Sequence, residues 1–463
     1  MRINKKIAFL PRHESSWAEM LPLITHFKEN SELEPFVIIS TNASKSAEIF
    51  CIDNNISYIN VLDRLISLNS SVGKGMLWHE TCNKSKVYKT PYLIIDWLLN
   101  NLVLGLVSSC IFYRIYLKTF LYLKKIFIEE AIDVLVLPGD RELGPVLPAI
   151  RAAKECCIKS VVLNLSWPHP DNLVRPREKE LKFRLNRLPP VLNIFISYFW
   201  KKQVFQKDNV RLLFSPGWVV LALYLLKMVP KNPWLQGASN SDYIIVDSKE
   251  TMKILTNNNV PYDKVKLLGA VDTDALYKSY SQKDIIKNEC REKYFSGSCR
   301  KIAIFALPLF YETAMTDLES QVNEVEYIVD MLVKKKFDVL ISPHPKCNLN
   351  IYTGTFNKKH VSVMKERLNY YIPVGDVFVC GNSLTVKWAW LCSVSILNHD
   401  FVYANYSFFK TNKLIMHSNT REQFEVNLNS YISNKLTEPK KTCDNPVFDG
   451  KVKNRISEFF ESI

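Results

Sequence analysis

The chain has 463 residues, more than one compact hydrophobic core usually holds, so two domains are expected. Apolar residues make up 47% of the sequence and charged residues 23%, which excludes a largely disordered chain. The formal net charge of +14 predicts an anionic partner: a phosphorylated substrate, a membrane surface or nucleic acid.

The cysteines and the N-terminus restrict the class of protein further. Eleven cysteines form no CxxC pair and no Cys/His cluster with metal-ligand spacing, so the sequence predicts a reducing, cytosolic compartment and no structural zinc. The first apolar stretch, "IAFL", is too short for the core of a signal peptide.

The first half of the chain alternates predicted strands with amphipathic helices. The helices are predicted at 16–29, 145–157 and 249–259. The strands are apolar without alternation, which is typical of a parallel sheet buried on both faces, and they are predicted at 6–11, 36–40, 58–63, 133–139, 160–166, 242–248 and 264–270.

The second half repeats this alternation. A long helix is predicted at 316–335, with Thr316 and Glu319 as a capping box. Strands are predicted at 301–308, 337–342, 377–382 and 394–400, and the chain ends in a predicted helix, 452–463. The interpretation is an α/β fold with two Rossmann-like lobes that face a central cleft. The N-terminal lobe is placed at 1–278 with an insertion at 175–235, the C-terminal lobe at 279–440, and the final segment at 441–463.

A basic and aromatic segment, 175–211, interrupts the first lobe. Its lysines and arginines flank "LPPVLNIFISYFW", a pattern that suits an anionic bilayer surface. No helix-turn-helix, zinc-finger or RNP-type signature accompanies it, so nucleic acid is not predicted as a partner. Two apolar runs, 97–113 and 212–229, are predicted to be buried or interfacial helices, because predicted strands flank each of them.

Polar residues follow most of the predicted strands, where open α/β sheets bind ligands. In the second lobe they are predicted to bind a phosphate, with Ser383 capping a helix whose backbone N–H groups face the anion. The alternative is a strand terminator followed by an ordinary helix cap. The candidate ligand-binding residues are Glu312, Ser342, His344, Lys346, Asn382, Ser383 and Thr385; the resemblance described below implies that their ligand is a nucleotide.

In the first lobe, Asp140 and Glu142 lie between two glycines after a strand, and one of them is predicted to be the catalytic carboxylate, with Asp140 preferred. The alternative is that Asp140 caps the next helix and Glu142 is solvated. Glu14 and His13, after the first strand, compete for the role of base. No GxGxxG, Walker loop or Asp-x-Asp motif is present, so neither a cofactor nor a metal is predicted.

These segments carry a family resemblance. The stretch 240–276 resembles the end of the N-terminal lobe of GT-B type glycosyltransferases from bacterial capsule and lipopolysaccharide synthesis. "SPHPK" resembles the His-Pro motif of bacterial sialyltransferases and capsule Kdo transferases. "GNSLTVKWAW" resembles their serine motif, with Ser-Leu-Thr where these families have Ser-Ser or Ser-Thr. "VLVLPGDRELG" is also similar to a turn of UDP-N-acetylglucosamine 2-epimerases, but "LNLSWPHP" replaces their His-x-Glu-Ala-Gly stretch.

The resemblance implies a metal-independent glycosyltransferase with GT-B architecture, peripheral on the inner face of the cell membrane. Its donor would be a nucleotide-activated sugar, preferably a CMP-activated Kdo or sialic-acid-like sugar, and otherwise a UDP-sugar. Its acceptor would be a lipid-linked glycan. The alternatives are a CDP-polyol phosphotransferase, a nucleotide-sugar 2-epimerase and a non-catalytic scaffold of a capsule assembly complex.

Overall fold

The computed structural model describes most of the chain and divides it into two compact units. The first unit is Met1–Val271 with Val452–Ile463, and the second is Asp272–Lys451. The described residues are 4–40, 44–61, 102–163, 171–178, 180–207, 210–344, 347–411, 414–433 and 445–463.

The first unit contains a seven-stranded parallel sheet with the order β3-β2-β1-β4-β5-β8-β9 and a separate antiparallel hairpin, β6–β7. The strands are β1 Lys6–Phe9, β2 Glu34–Ile39, β3 Ser57–Asn60, β4 Val134–Leu137, β5 Lys159–Leu163, β6 Val204–Lys207, β7 Val210–Leu213, β8 Tyr243–Val246 and β9 Val265–Leu267. The helices are α1 Glu14–Asn30, α2 Ser44–Asp53, α3 Leu102–Glu129, α4 Val146–Glu155, α5 Asp171–Glu178, α6 Pro190–Phe199, α7 Gly217–Leu225 and α8 Lys249–Asn257. All seven predicted strands of this lobe are confirmed.

Helices cover both faces of this sheet, which explains why its strands are apolar on both sides. In β1, Ala8 joins the core cluster that includes α3 and α4, whereas Ile7 and Phe9 join the cluster that includes α1 and α2. Side chains of consecutive strand residues point to opposite faces, so one short strand contributes to two cores.

The two apolar runs of the first unit lie in helices that differ in burial. In the run 212–229, residues 212 and 213 end β7, and α7 follows, buried along most of its length. Within the described residues, one helix, Gly105–Glu129, is long and apolar enough to cross a membrane by length and composition, and 33% of its apolar window is buried. One face of this helix belongs to the sheet core through Tyr116, Phe120 and Leu123, whereas the apolar side chains at 106, 107 and 111 of the first run are exposed. Residues 97–101 of the first run lie outside the described residues.

The second unit contains a six-stranded parallel sheet with the order β12-β11-β10-β13-β14-β15. Its strands are β10 Lys301–Ala306, β11 Phe337–Ser342, β12 Val361–Val363, β13 Val377–Cys380, β14 Ser395–His399 and β15 Ile415–Ser418. Its helices are α9 Thr273–Ser281, α10 Lys283–Phe295, α11 Leu318–Lys334, α12 Thr353–Phe356, α13 Leu368–Tyr371, α14 Val386–Leu391, α15 Ser407–Thr411 and α16 Arg421–Ile432. The two predicted Rossmann-like lobes are confirmed. The predicted capping box is wrong: Asp317 caps α11 by accepting from the backbone N–H of Ser320 at 2.7 Å.

The predicted terminal helix is also confirmed, as α17 Val452–Ser462. It belongs to the first unit, where Val452, Ile456 and Phe460 are fully buried in the cluster formed with α1 and α2.

Candidate functional site

Each sheet has one point at which its strand order reverses. The chain enters each sheet at a central strand, adds two strands on one side, and then crosses to the other side, so the reversal lies at β1/β4 and at β10/β13. In open parallel sheets, ligands bind outside the carboxyl ends of the strands at this point. The loops after these four strands are therefore the candidate site of each unit.

In the second unit the loops after β10 and β13 are in direct contact. A Cβ atom added at Gly381 would lie 3.0 Å from Cβ of Pro308 and 3.1 Å from the Phe310 ring. This approach needs a residue without a side chain. The predicted residues Glu312, Asn382, Ser383 and Thr385 lie on these two loops.

A buried amide network determines the turn after β13. Asn398 on β14 is 0% exposed; its Oδ1 accepts from the backbone N–H of Asn382 at 2.7 Å. Its Nδ2 donates to Oδ1 of Asn382 at 2.9 Å and to Nδ1 of His417 at 3.0 Å. Asn382 has a φ of 53°, in the left-handed region that asparagine tolerates. Within the described residues, the Nδ2 group of Asn382 is buried and has no hydrogen-bond partner.

Ser383 does not cap a helix, so that prediction is wrong. Helix α14 begins three residues later, at Val386, and its N-cap Thr385 makes no side-chain capping bond. The Ser383 hydroxyl instead lies 2.7 Å from the Thr385 hydroxyl and accepts from the Thr385 backbone N–H at 3.3 Å. The helix has only six residues. The groups of this turn that could contact a ligand are therefore the amide of Asn382 and the hydroxyls of Ser383 and Thr385.

Glu312, on the loop after β10, is positioned by a buried glutamine. Gln321 of α11 is 0% exposed and donates from Nε2 to Glu312 Oε2 at 3.2 Å and to the Tyr352 hydroxyl at 2.8 Å. Its Oε1 accepts from the backbone N–H of Tyr311 at 2.8 Å. These bonds fix the position of the Glu312 carboxylate. Glu312 lies on the same loop as Phe310, which is close to the turn after β13.

The histidine of the His-Pro segment lies on the other side of β10. Ser342 is buried at the end of β11, and His344 is exposed two residues later. β11 and β13 are not neighbours: β10 separates them, so their backbones lie about 10 Å apart at the usual spacing of strands. Lys346 lies outside the described residues.

A buried carboxylate, Glu324, supports the loops of this unit, and the sequence analysis did not identify it. His399, 1% exposed at the end of β14, contacts Glu324 of α11 at 2.7 Å and the Ser418 hydroxyl at 3.0 Å. Burial raises the pKa of Glu324, but hydrogen bonds from His399 and Arg421 outweigh it, so the pKa lies below its ordinary value. The signal was "LNHD", a buried strand that ends in three polar residues.

In the first unit, the Asp140 side chain is not open to solvent, contrary to the prediction. It is 0% exposed and accepts from the backbone N–H groups of Gly237 and Ser239 at 2.8 and 2.9 Å, and from the Ser241 hydroxyl at 2.9 Å. Burial raises its pKa, and the Lys264 ammonium, 3.9 Å away, opposes that shift. Nor does Asp140 cap the next helix. It stabilises the segment that leads into β8.

The other three predicted residues of this unit are more accessible than Asp140. Glu142 is partly exposed and contacts Nε of Arg141 at 3.4 Å. His13 and Glu14 are both exposed at the start of α1, immediately after β1. Glu14 accepts from the Ser46 hydroxyl at 2.7 Å, and Ser16 accepts from the backbone N–H of His13 at 2.8 Å. The imidazole of His13 and the carboxylates of Glu14 and Glu142 therefore lie at the β1/β4 switch point.

Two arginines near this switch point were also not identified from sequence. Arg12 lies three residues after β1. Burial raises the pKa of the Tyr116 hydroxyl, the charge of Arg12 opposes that shift, and the hydroxyl accepts from the Gly144 backbone N–H at 3.0 Å. Arg141, after β4, is 5% exposed and donates to the carbonyl of Pro233 at 3.3 Å. Burial lowers the pKa of Arg141, with Glu142 opposing the shift. No group of three or more His, Cys, Asp and Glu side chains placed to hold a metal ion occurs within the described ranges.

Comparisons with known proteins give a match at the level of fold. No protein-family model matches the chain, and no curated protein matches it. Among solved structures, UDP-GlcNAc 2-epimerase from Neisseria meningitidis, bound to UDP-GlcNAc, is 12% identical with a TM-score of 0.51, and the match covers 99% of this chain and 100% of that one. The S. aureus MnaA–UDP structure is 11% identical with a TM-score of 0.53, covering 99% and 96%. A glycosyltransferase from Rickettsia africae is 11% identical with a TM-score of 0.51, covering 99% and 98%. The chain thus shares the fold of these three proteins, an α/β fold with two parallel sheets.

Proposed function

We propose that the protein is a glycosyltransferase that uses a nucleotide-activated sugar, and that its second unit binds the nucleotide. The observation that supports this most directly is the β10/β13 switch point, where Asn382, Ser383 and Thr385 meet the loop of Glu312. Hydroxyl and amide groups donate to phosphate oxygens, and a carboxylate accepts from the hydroxyls of a ribose. The buried Nδ2 of Asn382 is a donor that a ligand oxygen would satisfy.

The leaving phosphate needs donors as the bond to the sugar breaks. His344, exposed at the end of β11, is one strand from the loop of Glu312, and its imidazole is proposed to donate to a phosphate oxygen. Lys346 is proposed to bind the nucleotide as well, as the His-Pro resemblance implies. Ser342 is proposed to contact the nucleotide through its backbone, because its side chain is buried.

The first unit is proposed to supply the base. His13 or Glu14 takes the proton of the acceptor hydroxyl, whose oxygen bonds to the anomeric carbon while the phosphate oxygen departs with its electron pair. Both side chains are exposed at the β1/β4 switch point, whereas Asp140 is enclosed by three hydrogen-bond donors. Glu142 is proposed to orient the acceptor, and the acceptor is proposed to be a lipid-linked glycan of the cell surface.

Two donors follow from different observations. The His-Pro resemblance favours a CMP-activated Kdo or sialic-acid-like sugar. A UDP-sugar is the second candidate, because two proteins of similar fold are described with UDP-GlcNAc and with UDP. The similarity to the UDP-GlcNAc 2-epimerase makes a 2-epimerase the second candidate function.

The donor is tested by calorimetry with CMP, CDP and UDP. We expect one of them to bind, and the Ser383→Ala/Thr385→Ala variant to weaken that binding by about tenfold or more, since each lost hydrogen bond contributes about 1 kcal/mol. Ser433→Ala, exposed at the end of α16, is the control. Binding of no nucleotide would contradict the proposal.

The reaction is tested by NMR with the nucleotide sugar whose nucleotide binds. A glycosyltransferase leaves C2 of the sugar unchanged without an acceptor and releases the nucleotide when one is added. Inversion at C2 in the absence of an acceptor would show a 2-epimerase instead.

A further inference from the structure

Helix α6 presents an apolar face to solvent. Val191, Ile194, Tyr198 and Phe199 are 82%, 69%, 70% and 63% exposed. Val191, Ile194 and Tyr198 recur at helical spacing on the side opposite Ile196, and Phe199 is the last residue of the helix. Ile196 is 0% exposed and packs with Leu185, Leu188 and Leu213. The helix is thus anchored by one face while its large side chains on the other remain in water.

The end of α7 extends this face. Tyr224 and Leu225 are 48% and 59% exposed. The Tyr224 ring lies 4.8 Å from the Trp200 ring and 6.2 Å from the Phe195 ring, so the two helices form one surface. We call Val191, Ile194, Tyr198, Phe199, Tyr224 and Leu225 the apolar patch. Soluble monomers rarely expose so many large apolar side chains together, and such patches mark interaction surfaces.

Cationic residues flank both helices of the apolar patch in the sequence. Arg187, Lys201, Lys202 and Lys227 are all exposed. Between residues 181 and 241 the sequence contains nine lysines and arginines but one acidic residue, Asp208. A second copy of this chain would bring these like charges face to face, whereas an anionic surface complements them.

We infer that the apolar patch rests on the surface of an anionic lipid bilayer. Helix α6 has ten residues and is about 15 Å long, half of what is needed to span the hydrocarbon core, so it lies in the plane of the interface. The aromatic rings enter the headgroup level while the neighbouring lysines contact lipid phosphates. This inference does not rest on the proposed enzymatic function.

The structure changes which residues of the predicted segment 175–211 contact lipid. Arg177 turns inward: its guanidinium lies 4.3 Å from the centre of the Phe214 ring and donates to the carbonyls of Phe214 and Leu173, each at 2.9 Å. Burial, together with the charge of the neighbouring Arg141, lowers the pKa of Arg177 to about 10. Tyr224 and Leu225 lie beyond 175–211 but within the insertion 175–235, which is predicted to face the membrane, and they extend the contact surface.

The charge contribution is tested with the full-length protein by sedimentation with vesicles. We expect binding to phosphatidylcholine vesicles that contain phosphatidylglycerol, weaker binding as salt is raised, and little binding to phosphatidylcholine alone. Lys201→Gln/Lys202→Gln should weaken binding on the order of twentyfold, at about fivefold for each charge near the surface. Lys249→Gln/Lys253→Gln, two exposed lysines at the start and middle of α8, should bind like the wild type.

The apolar contribution is tested with Tyr198→Ser/Phe199→Ser. This variant should keep the melting temperature, because both side chains are exposed, but should lose binding to the anionic vesicles. Tyr262→Ser removes a tyrosine that is 73% exposed outside the patch and should change nothing. Wild-type binding by the patch variant, or equal binding to neutral and anionic vesicles at all salt concentrations, would overturn the inference. So would a dimer, detected by analytical ultracentrifugation, that this variant dissociates.

Discussion

Asp140 and Glu142 stand two residues apart after the same strand, yet their environments differ. The sequence predicted their place at the end of β4, because the strand and the glycines are local features. It did not predict which carboxylate is covered, because Gly237, Ser239 and Ser241 enclose Asp140 from a segment nearly one hundred residues later. A side chain's exposure depends on long-range contacts that a local pattern does not contain.

A structural role for Asp140 has a direct consequence for stability. Asp140→Asn places an amide N–H group against backbone N–H donors and leaves Lys264 without its buried partner, so we expect a loss of about 1–3 kcal/mol in the free energy of unfolding. Urea denaturation measures it, with Glu142→Gln as the less buried control. If Asp140→Asn is as stable as the wild type but inactive, the catalytic prediction for Asp140 was correct after all.

The close approach at Gly381 makes a second prediction at this scale. In Gly381→Ala, the new Cβ meets Pro308 at 3.0 Å and Phe310 at 3.1 Å, so the loops after β10 and β13 have to separate by a few tenths of an ångström. We expect weaker nucleotide binding, measured by calorimetry, together with a destabilisation of about 1–3 kcal/mol from overpacking. Gly354→Ala is the matched control, since its Cβ has no neighbour within 4 Å. Unchanged affinity in Gly381→Ala would show that the nucleotide does not bind at this contact.

At the scale of elements, the four interior strands of the second unit's sheet were predictable and its two short edge strands were not. β10 and β11 are apolar runs buried on both faces, a pattern visible in the sequence. The structure adds β12 and β15, with three and four residues, which are strands because β11 and β14 offer them a partner. The start of α14 was misplaced because Ser383 bonds to Thr385 instead of to a helical N–H group.

Glu324 joins three elements, and its pKa makes the link testable by pH. It lies on α11 and contacts His399 at the end of β14 and Arg421 at the start of α16. Because its pKa is lowered in the folded state, the unfolded chain binds the proton more tightly, so this stabilisation is present above the ordinary value of 4.5 and is lost as pH falls through the folded pKa.

We expect Glu324→Gln to lower the free energy of unfolding by about 1–3 kcal/mol at neutral pH, because a buried, hydrogen-bonded charge pair is broken. The difference from the wild type should shrink as the pH is lowered below 4.5. Urea denaturation across this range measures both effects. A difference that is independent of pH would show that the carboxylate charge does not contribute. Glu326→Gln, two residues further along α11 and with a side chain that is 47% exposed, supplies the control.

At the scale of the whole molecule, the alternation of strands and helices predicted two Rossmann-like lobes, and the comparisons with solved structures agree. The sequence did not predict that the last helix returns to the first unit. The pattern of α17 shows an apolar face but not its partner, because the partners of Phe460 lie in α1 and the neighbouring strands, more than 400 residues earlier. The two units are thus built from three stretches of chain.

The return of α17 makes the stability of the first unit depend on the last residues of the chain. Phe460 is 0% exposed, its ring lies 5.7 Å from that of Phe27, and its carbonyl accepts from Nζ of Lys5 at 3.4 Å. Phe460→Ala leaves a cavity in this core and is expected to cost about 3–5 kcal/mol. Hydrogen exchange should therefore accelerate in peptides that cover β1 and α1, while peptides that cover β10 and β11 serve as the internal reference. Glu458→Ala, on the exposed face of α17, should leave both sets unchanged. Equal protection of β1 and α1 in Phe460→Ala and the wild type would mean that the first unit folds without its terminal helix.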